Sequence, residues 1–234
     1  MMKLLLAAVL AIAGCGPVIA ADLKLKAAPA PYVGEDPWNG FYLGINGGYG
    51  IDRGGGKACC TVQGLAVDLK TAPQGFIGGL QAGYMHHVPG SGFVLGIEAD
   101  GDIATLDGST NNPGFIGNAN SRNRWLASLR GRAGYLLAPN ALAYITGGWG
   151  WGSNEFGVNA VNADGSVQTI DLKATKSGAV LGGGLEVALS SNWFARAEYL
   201  HYFLNDMNMT MPSGAFLNVN DNVSVARGGL NYKF

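Results

Sequence analysis

Acidic and basic residues at alternate positions are the groups in this sequence best placed to do chemistry. Glu98, Asp100 and Asp102 occupy every second position, and Arg130 and Arg132 repeat that spacing. Alternate side chains of a β-strand point to the same face, so each set is expected on one side of its strand. The charges that share such a face are Glu98, Asp100, Asp102, Arg124, Arg130, Arg132, Glu186, Arg196, Glu198, Arg227 and Lys233. Five acids against six bases favour a mutually neutralised network over a selective ion path, because a lone buried charge costs several kcal/mol.

The histidines indicate no catalytic or metal site. His86 and His87 fall in a short turn, where a solvated pair is expected. His201 lies on an uncharged face near the end of a segment, and its neighbours Tyr202 and Phe203 provide no serine to act with it. No segment groups a nucleophile, a base and an orienting residue. We therefore predict that the protein is not an enzyme and binds no cofactor or metal.

Cys59 and Cys60 are adjacent in the sequence. Adjacent cysteines can pair only as a strained ring, because their Cα atoms are about 3.8 Å apart. Two free thiols and a local disulfide both remain open, and neither predicts a metal or redox site.

Eight segments with period-2 alternation must position the charges. They span residues 40–51, 75–85, 93–104, 124–137, 141–151, 177–189, 193–204 and 222–234. In seven of them every Asp, Glu, Lys and Arg lies on one face, and the other face carries none. Soluble barrels place charges outside, whereas membrane barrels place an uncharged band outside and polar groups within. The pattern predicts an all-β fold, an eight-stranded antiparallel up-and-down transmembrane β-barrel.

The connections between the segments alternate between long and short. Long gaps cover residues 52–74, 105–123, 152–176 and 205–221, and turns such as "APN" and "SSN" separate the others. Outer-membrane barrels have short periplasmic turns and longer external loops. Aromatic residues also gather at segment ends, as in interfacial girdles: Trp38, Phe41, Trp125, Tyr135, Trp149, Trp151, Trp193, Tyr232 and Phe234.

The first twenty residues have the pattern of an export signal. Lys3 precedes a short apolar run, and small residues before Ala20 and Ala21 favour cleavage between these two. This predicts a signal peptide over residues 1–20, a proline-rich periplasmic linker over 21–38 and the barrel over 39–234. An alternative is a lipoprotein signal in which Cys15 is acylated. Both interpretations export the chain.

Several stretches resemble the alphaproteobacterial outer-membrane β-barrel family of surface antigens, which shares the architecture of OmpA-type barrels. These stretches are "AADLKLKAAPAP", "WNGFYLGINGGYG", "ITGGWGWG", "GLEVALSSNWFARAEYL" and "GGLNYKF". The resemblance implies that Leu230, Tyr232 and Phe234 form the signal recognised by the barrel-assembly machinery. It also implies partners in outer-membrane lipid or lipopolysaccharide, and periplasmic or host surface partners.

The expected function is that of a structural surface barrel that supports the envelope and displays external loops. The alternatives are a narrow porin-like channel for small solutes and a haem-binding or other ligand-binding surface receptor. A net charge of −1 argues against nucleic acid as a partner.

Overall fold

The computed structural model describes residues 36–53, 55–59, 66–69, 72–110, 117–161, 167–210 and 216–234. Several predictions lie outside these residues: the signal peptide with its cleavage site at Ala20 and Ala21, most of the linker, and those on Cys15 and Cys60. No helix among the described residues is long and apolar enough to span a membrane.

Ten strands within the described residues form one antiparallel sheet. They are β1 Gly40–Asp52, β2 Gly55–Cys59, β3 Ala66–Leu69, β4 Gln74–His87, β5 Phe93–Thr110, β6 Gly117–Ala138, β7 Ala141–Val161, β8 Val167–Ala188, β9 Trp193–Thr210 and β10 Phe216–Lys233. Strand β1 pairs with β4 on one side and with β10 on the other, which closes the barrel. The predicted eight-stranded closed barrel is confirmed, with β2 and β3 as a small hairpin beside the far part of β10.

Much of the four predicted long loops is strand. Strands β5 to β10 continue well past the predicted segments, and β2 and β3 lie inside the first predicted loop. These extensions are rich in Asn, Ser, Thr and Gly, and they lack a long apolar face. Outside lipid, a strand needs no alternation of apolar residues to form backbone hydrogen bonds. The predicted strands are therefore shorter than the observed ones.

The register fixes the tilt of the strands. Successive cross-strand partners lead from Phe41 once around the barrel to Ile51, ten residues further along β1. With a 3.3 Å rise and strands about 4.8 Å apart, this stagger tilts eight strands by about 40° from the barrel axis. We call the end at Phe41 the inner end and the end at Ile51 the outer end.

The outer surface carries an apolar band between two aromatic girdles. The inner girdle contains Phe41, Tyr84, Phe93, Tyr135, Trp193, Tyr232 and Phe234. The outer girdle contains Tyr49, Phe76, Trp125, Trp149, Trp151 and Phe203. About ten residues of tilted strand separate the girdles, or about 25 Å, which is the height of the apolar band of membrane barrels.

Candidate functional site: the barrel interior

An ionic layer fills the middle of the barrel, carried by inward-facing residues of β5, β6, β8, β9 and β10. Its members are Glu98, Asp100, Asp102, Arg130, Arg132, Glu186, Arg196, Glu198 and Arg227, and all are buried. Period-2 geometry brings charges of one strand to one face, and the register then sets them beside their partners. Glu98 lies directly opposite Arg130, and Glu198 lies opposite Arg227.

Arg130 is at the centre of this layer. Its Nη2 donates to Glu98 Oε1 at 2.6 Å and to Asp100 Oδ2 at 3.0 Å. Its Nη1 donates to Glu198 Oε1 at 3.0 Å. Arg227 extends the chain of contacts, because its Nε donates to Glu198 Oε2 at 2.9 Å and its Nη1 to Asp100 Oδ1 at 2.9 Å. The contacts therefore cross the lumen between strands that are not neighbours.

Arg132 lies at the inner side of the ionic layer. Its Nη2 donates to Glu186 Oε2 at 2.6 Å, and its Nη1 donates to the hydroxyl oxygen of Tyr42 at 2.9 Å. The guanidinium also lies 3.9 Å from the ring centroid of Tyr144, a cation–π contact. Tyr42 in turn donates its hydroxyl to Glu98 Oε2 at 2.5 Å.

Neutral polar side chains complete the layer. Arg196 donates to Glu98, and its Nη2 donates to Gln81 Oε1 at 2.6 Å. Asn231 Nδ2 donates to Glu186 Oε1 at 2.7 Å. These amides were not predicted in the site, although Gln81 and Asn231 have the inward parity that the charged residues of their barrel share.

Arg124 was predicted in this layer, and that prediction is wrong. The register of β6 against β7 shifts between Arg122 and Leu126, where the Ser153 hydroxyl accepts a hydrogen bond from the backbone N–H of Arg124. The irregularity turns Arg124 outward, where its Nε lies 3.6 Å from Glu155 Oε2. Among the described members, the layer thus has five carboxylates and four guanidiniums.

Apolar side chains close the lumen on both sides of the ionic layer. The outer apolar layer contains Ile77, Ala104, Leu106, Leu126, Val180, Leu200, Tyr202, Leu204, Val223 and Val225. The inner apolar layer contains Trp38, Tyr42, Met85, Val94, Leu142, Tyr144 and Phe194. An eight-stranded barrel is just wide enough for its own side chains, and here they form successive layers across it.

A polar set lies beyond the outer apolar layer. Asp52, Asn123, Asn154 and Lys176 are buried there, and Asn123 Nδ2 donates to Asp52 Oδ2 at 3.1 Å. All four residues belong to the predicted long gaps 52–74, 105–123 and 152–176. Their inward position becomes visible only once the strands are known to continue past the membrane band.

Trp38 and Lys233 cover the inner mouth of the barrel. Trp38 was predicted in the aromatic girdle at the end of a linker, but it is 1% exposed, and its indole N–H donates to the Pro139 carbonyl at 3.0 Å. Lys233 was predicted in the charge network. Its Nζ instead donates to the carbonyls of Asp36 and Asn39 at 3.0 and 3.1 Å. Backbone acceptors at the mouth therefore take the place of acidic partners.

His87 was predicted in a solvated turn, but it is the last residue of β4 and fastens the same segment beyond the inner girdle. Its Nδ1 contacts the Asp36 carboxylate, and its Nε2 lies 2.7 Å from the Ser91 carbonyl oxygen. Partial burial on its own lowers the pKa of His87, but the hydrogen bonds to Asp36 and Ser91 outweigh it and raise the pKa above the ordinary value. Both contacts favour the charged imidazolium.

We expect this contact to hold the mouth segment more tightly in acid. A histidine pKa raised by folding stabilises fully below the unfolded value of about 6.5, and the stabilisation is lost as pH rises through the folded value. NMR titration in micelles should show a His87 pKa above 6.5, and Asp36→Asn should lower it. A His87 titration unaffected by Asp36→Asn would contradict this assignment.

His201 has a serine partner that its own strand did not reveal. His201 Nδ1 lies 2.9 Å from Ser224 Oγ on β10, and its ring packs edge-on against Phe203. Ser224 is the register neighbour of His201, so only the strand pairing could have identified it. Neither contact supplies the acidic group that orients the histidine base in a catalytic triad.

Comparisons with known proteins agree with this architecture. A family profile for an outer membrane protein beta-barrel domain matches residues 7–234. A 31 kDa outer-membrane immunogenic protein of Brucella melitensis is 33% identical over 229 residues, which cover 92% of this chain and 93% of that protein. A 22 kDa outer membrane protein of Rhizobium leguminosarum is 30% identical over 208 residues, 89% of this chain and 83% of that protein. Among solved structures, the outer membrane protein OprG from Pseudomonas aeruginosa is similar with a TM-score of 0.48 at 12% identity, covering 84% of this chain and 97% of that chain.

Proposed function

Because this chain belongs to the outer membrane protein beta-barrel family and lies in the outer membrane, we propose that it is a structural surface protein with a closed lumen. In this role the barrel supports the envelope mechanically and holds the external strand extensions and loops at the cell surface. The single observation that carries the proposal is the ionic layer enclosed between two apolar layers.

The layered interior favours a support over a channel. A hydrated ion that crosses the lumen would have to displace buried leucine, valine and aromatic side chains twice, and separate charge-assisted hydrogen bonds between the two apolar layers. General porins form aqueous channels with about sixteen strands, whereas this barrel has eight. The interior of this barrel stabilises the wall from within.

The same proposal treats the protein as non-enzymatic. Among the described residues, Ser224 and His201 set a hydroxyl beside an imidazole, as a nucleophile and its base would be. Their hydrogen bond satisfies two polar groups at the boundary of the apolar band, which is reason enough for the pair to form. We propose outer-membrane lipid and the barrel-assembly machinery as partners, the latter through Leu230, Tyr232 and Phe234.

Planar-bilayer recording tests the closed lumen. Refolded protein should give no stable, reproducible conductance steps across many insertions, because each apolar layer excludes water. Insertion is checked separately by the different migration of boiled and unboiled samples, and a general porin serves as positive control in the same bilayers. Reproducible unitary openings by the heat-modifiable protein would overturn the proposal in favour of a narrow channel.

A further inference from the structure

A row of alternating charges crosses four neighbouring strands on the outside of the barrel. Asp107 on β5 is paired in register with Arg122 on β6, Arg122 with Glu155 on β7, and Glu155 with Lys173 on β8. Arg124 joins the row through the irregularity in β6. We call these five residues the outer charge row.

Position along the strands places the row at the level of lipid headgroups. Glu155 follows the girdle residue Trp151 by four residues on β7, and Asp107 follows the outward-facing Ile103 by four on β5. Four residues of a strand tilted by about 40° rise about 10 Å. The hydrocarbon core ends near the aromatic girdle, and the polar headgroup layer lies directly beyond it.

The ion pairs within the row leave part of its cationic surface for another ligand. Arg122 contacts Asp107 Oδ1 through Nε at 3.1 Å, and Arg124 contacts Glu155 through Nε at 3.6 Å. In both pairs the nearest contact is made by Nε and not by a terminal amino group, and 49% and 48% of the two side chains are exposed. Lys173 contacts Glu155 Oε1 at 3.1 Å and is 75% exposed.

The irregularity in β6 brings two cations and a girdle tryptophan to the same outer face, because Arg122, Arg124 and Trp125 are all exposed while Asn123 is buried. The shift between Arg122 and Leu126 turns Arg124 and Trp125 outward together, and Ser153 Oγ accepts hydrogen bonds from both of their backbone N–H groups. A bulge interrupts ladder hydrogen bonds, so its usual benefit is to redirect side chains. Here it sets a guanidinium above a tryptophan at the membrane boundary, and the row has three cations against two carboxylates.

Internal pairing does not explain the row well. Exposed ion pairs contribute about 0–1 kcal/mol, so they stabilise the barrel weakly. The hydrogen bond from Lys173, followed by the charges of Lys173 and Arg124, holds the pKa of Glu155 below its usual range, so the carboxylate stays ionised and keeps both cations in place. Guanidinium groups bind phosphate through two parallel hydrogen bonds, and a positioned pair of them forms a phosphate site.

We propose that the outer charge row binds the phosphates of an anionic glycolipid headgroup in the outer leaflet, with Arg122, Arg124 and Lys173 as ligands. Asp107 and Glu155 orient these cations. The inference deepens the proposed function, since it rests on the barrel standing in the outer membrane as a support. Anchoring to headgroups would join the barrel wall to the lipid layer around it.

Native mass spectrometry of the refolded full chain in micelles tests the proposal, with a bis-phosphorylated disaccharide lipid and its dephosphorylated form as probes. The triple variant that combines Arg122→Gln, Arg124→Gln and Lys173→Gln should bind the phosphorylated lipid about tenfold or more weakly. Each charge-assisted hydrogen bond that is lost lowers the affinity by about a factor of ten. The matched variant, which combines Asp107→Asn and Glu155→Gln, should bind about as well as the parent, because the loss of orientation is offset by the removal of carboxylates that compete with phosphate for the same cations. Heat-modifiable migration of all variants checks that they fold.

Three outcomes would overturn the proposal. They are equal binding of the two lipid forms, unchanged binding by the cation variant, and a loss confined to the carboxylate variant, which would assign the site to bridging metal ions. None of these outcomes bears on the closed-lumen proposal, because conductance in planar bilayers is measured independently of lipid binding. A variant that binds the phosphorylated lipid weakly and still shows no conductance therefore separates the two proposals.

Discussion

Replacing Glu98 with glutamine should lower the free energy of unfolding by about 3–5 kcal/mol, the range expected when one partner of a buried ion network is removed. Glu98 is 1% exposed and accepts hydrogen bonds from Arg130, Arg132 and Arg196, and from the Tyr42 hydroxyl. Glutamine has nearly the same shape, but it is neutral and turns an amide donor toward these donors. Three guanidiniums then lose the anion that they share.

Asp102 provides a matched control for this substitution. It stands on the same strand, is 3% exposed and also carries a carboxylate. Its Oδ2 accepts from Arg227 Nη1 at 2.7 Å, whereas its Oδ1 has no hydrogen-bond partner among the described residues. Because the described layer has one more carboxylate than guanidinium, Asp102→Asn is expected to cost less than about 1 kcal/mol or to stabilise the barrel.

Urea unfolding in detergent micelles, followed by tryptophan fluorescence, measures both variants on one scale. A large loss for Glu98→Gln with a small change for Asp102→Asn would show that contact geometry sets the stability of the layer. Equal losses would mean that net charge governs it. Two small losses would mean that water enters the lumen freely, and the same result would weaken the closed-lumen proposal.

The eight strands and their faces could be predicted because lipid imposes a rule on each strand separately. Leu43 and Ile45 on β1, for example, must face hydrocarbon, and Tyr42 and Asn46 on the alternate positions must face inward. A rule that applies residue by residue leaves a period in the sequence. Beyond the membrane this rule no longer applies, and the strand extensions carrying Asp107 and Lys173 show no such period.

The predictions about the site that the structure corrects failed because they depend on contacts between strands. Arg124 leaves the ionic layer because Ser153 on β7 stabilises an irregularity in β6, which the sequence of β6 alone does not encode. Trp38 enters the barrel because the inner mouth offers a space beside Phe194, whose ring centroid is 5.2 Å from that of Trp38. His201 acquires Ser224 through register. Strand periodicity predicts faces, but it does not predict partners.

Replacing Phe234 with alanine should reduce the amount of folded barrel in the outer membrane several-fold, if Leu230, Tyr232 and Phe234 are the assembly signal as proposed. The backbone N–H of Phe234, directly after β10, donates to the Phe41 carbonyl at 3.0 Å and continues the pairing of β10 with β1. Alanine keeps that hydrogen bond. The expected defect therefore lies in recognition of the aromatic ring by the assembly machinery and not in closure itself.

Phe93→Ala is the matched control for this defect. Phe93 belongs to the same inner girdle and packs edge-on against Tyr135 with ring centroids 5.2 Å apart, as Phe234 packs against Tyr232 at 5.3 Å. The two rings are 56% and 75% exposed, so each substitution removes a similar lipid-facing surface. Unassisted refolding into detergent should then proceed equally for both variants, because it needs no recognition. In cells, the heat-modifiable fraction should fall for Phe234→Ala alone. An equal loss for both variants in cells, or a refolding defect specific to Phe234→Ala in detergent, would assign the effect to barrel stability and contradict the assembly signal.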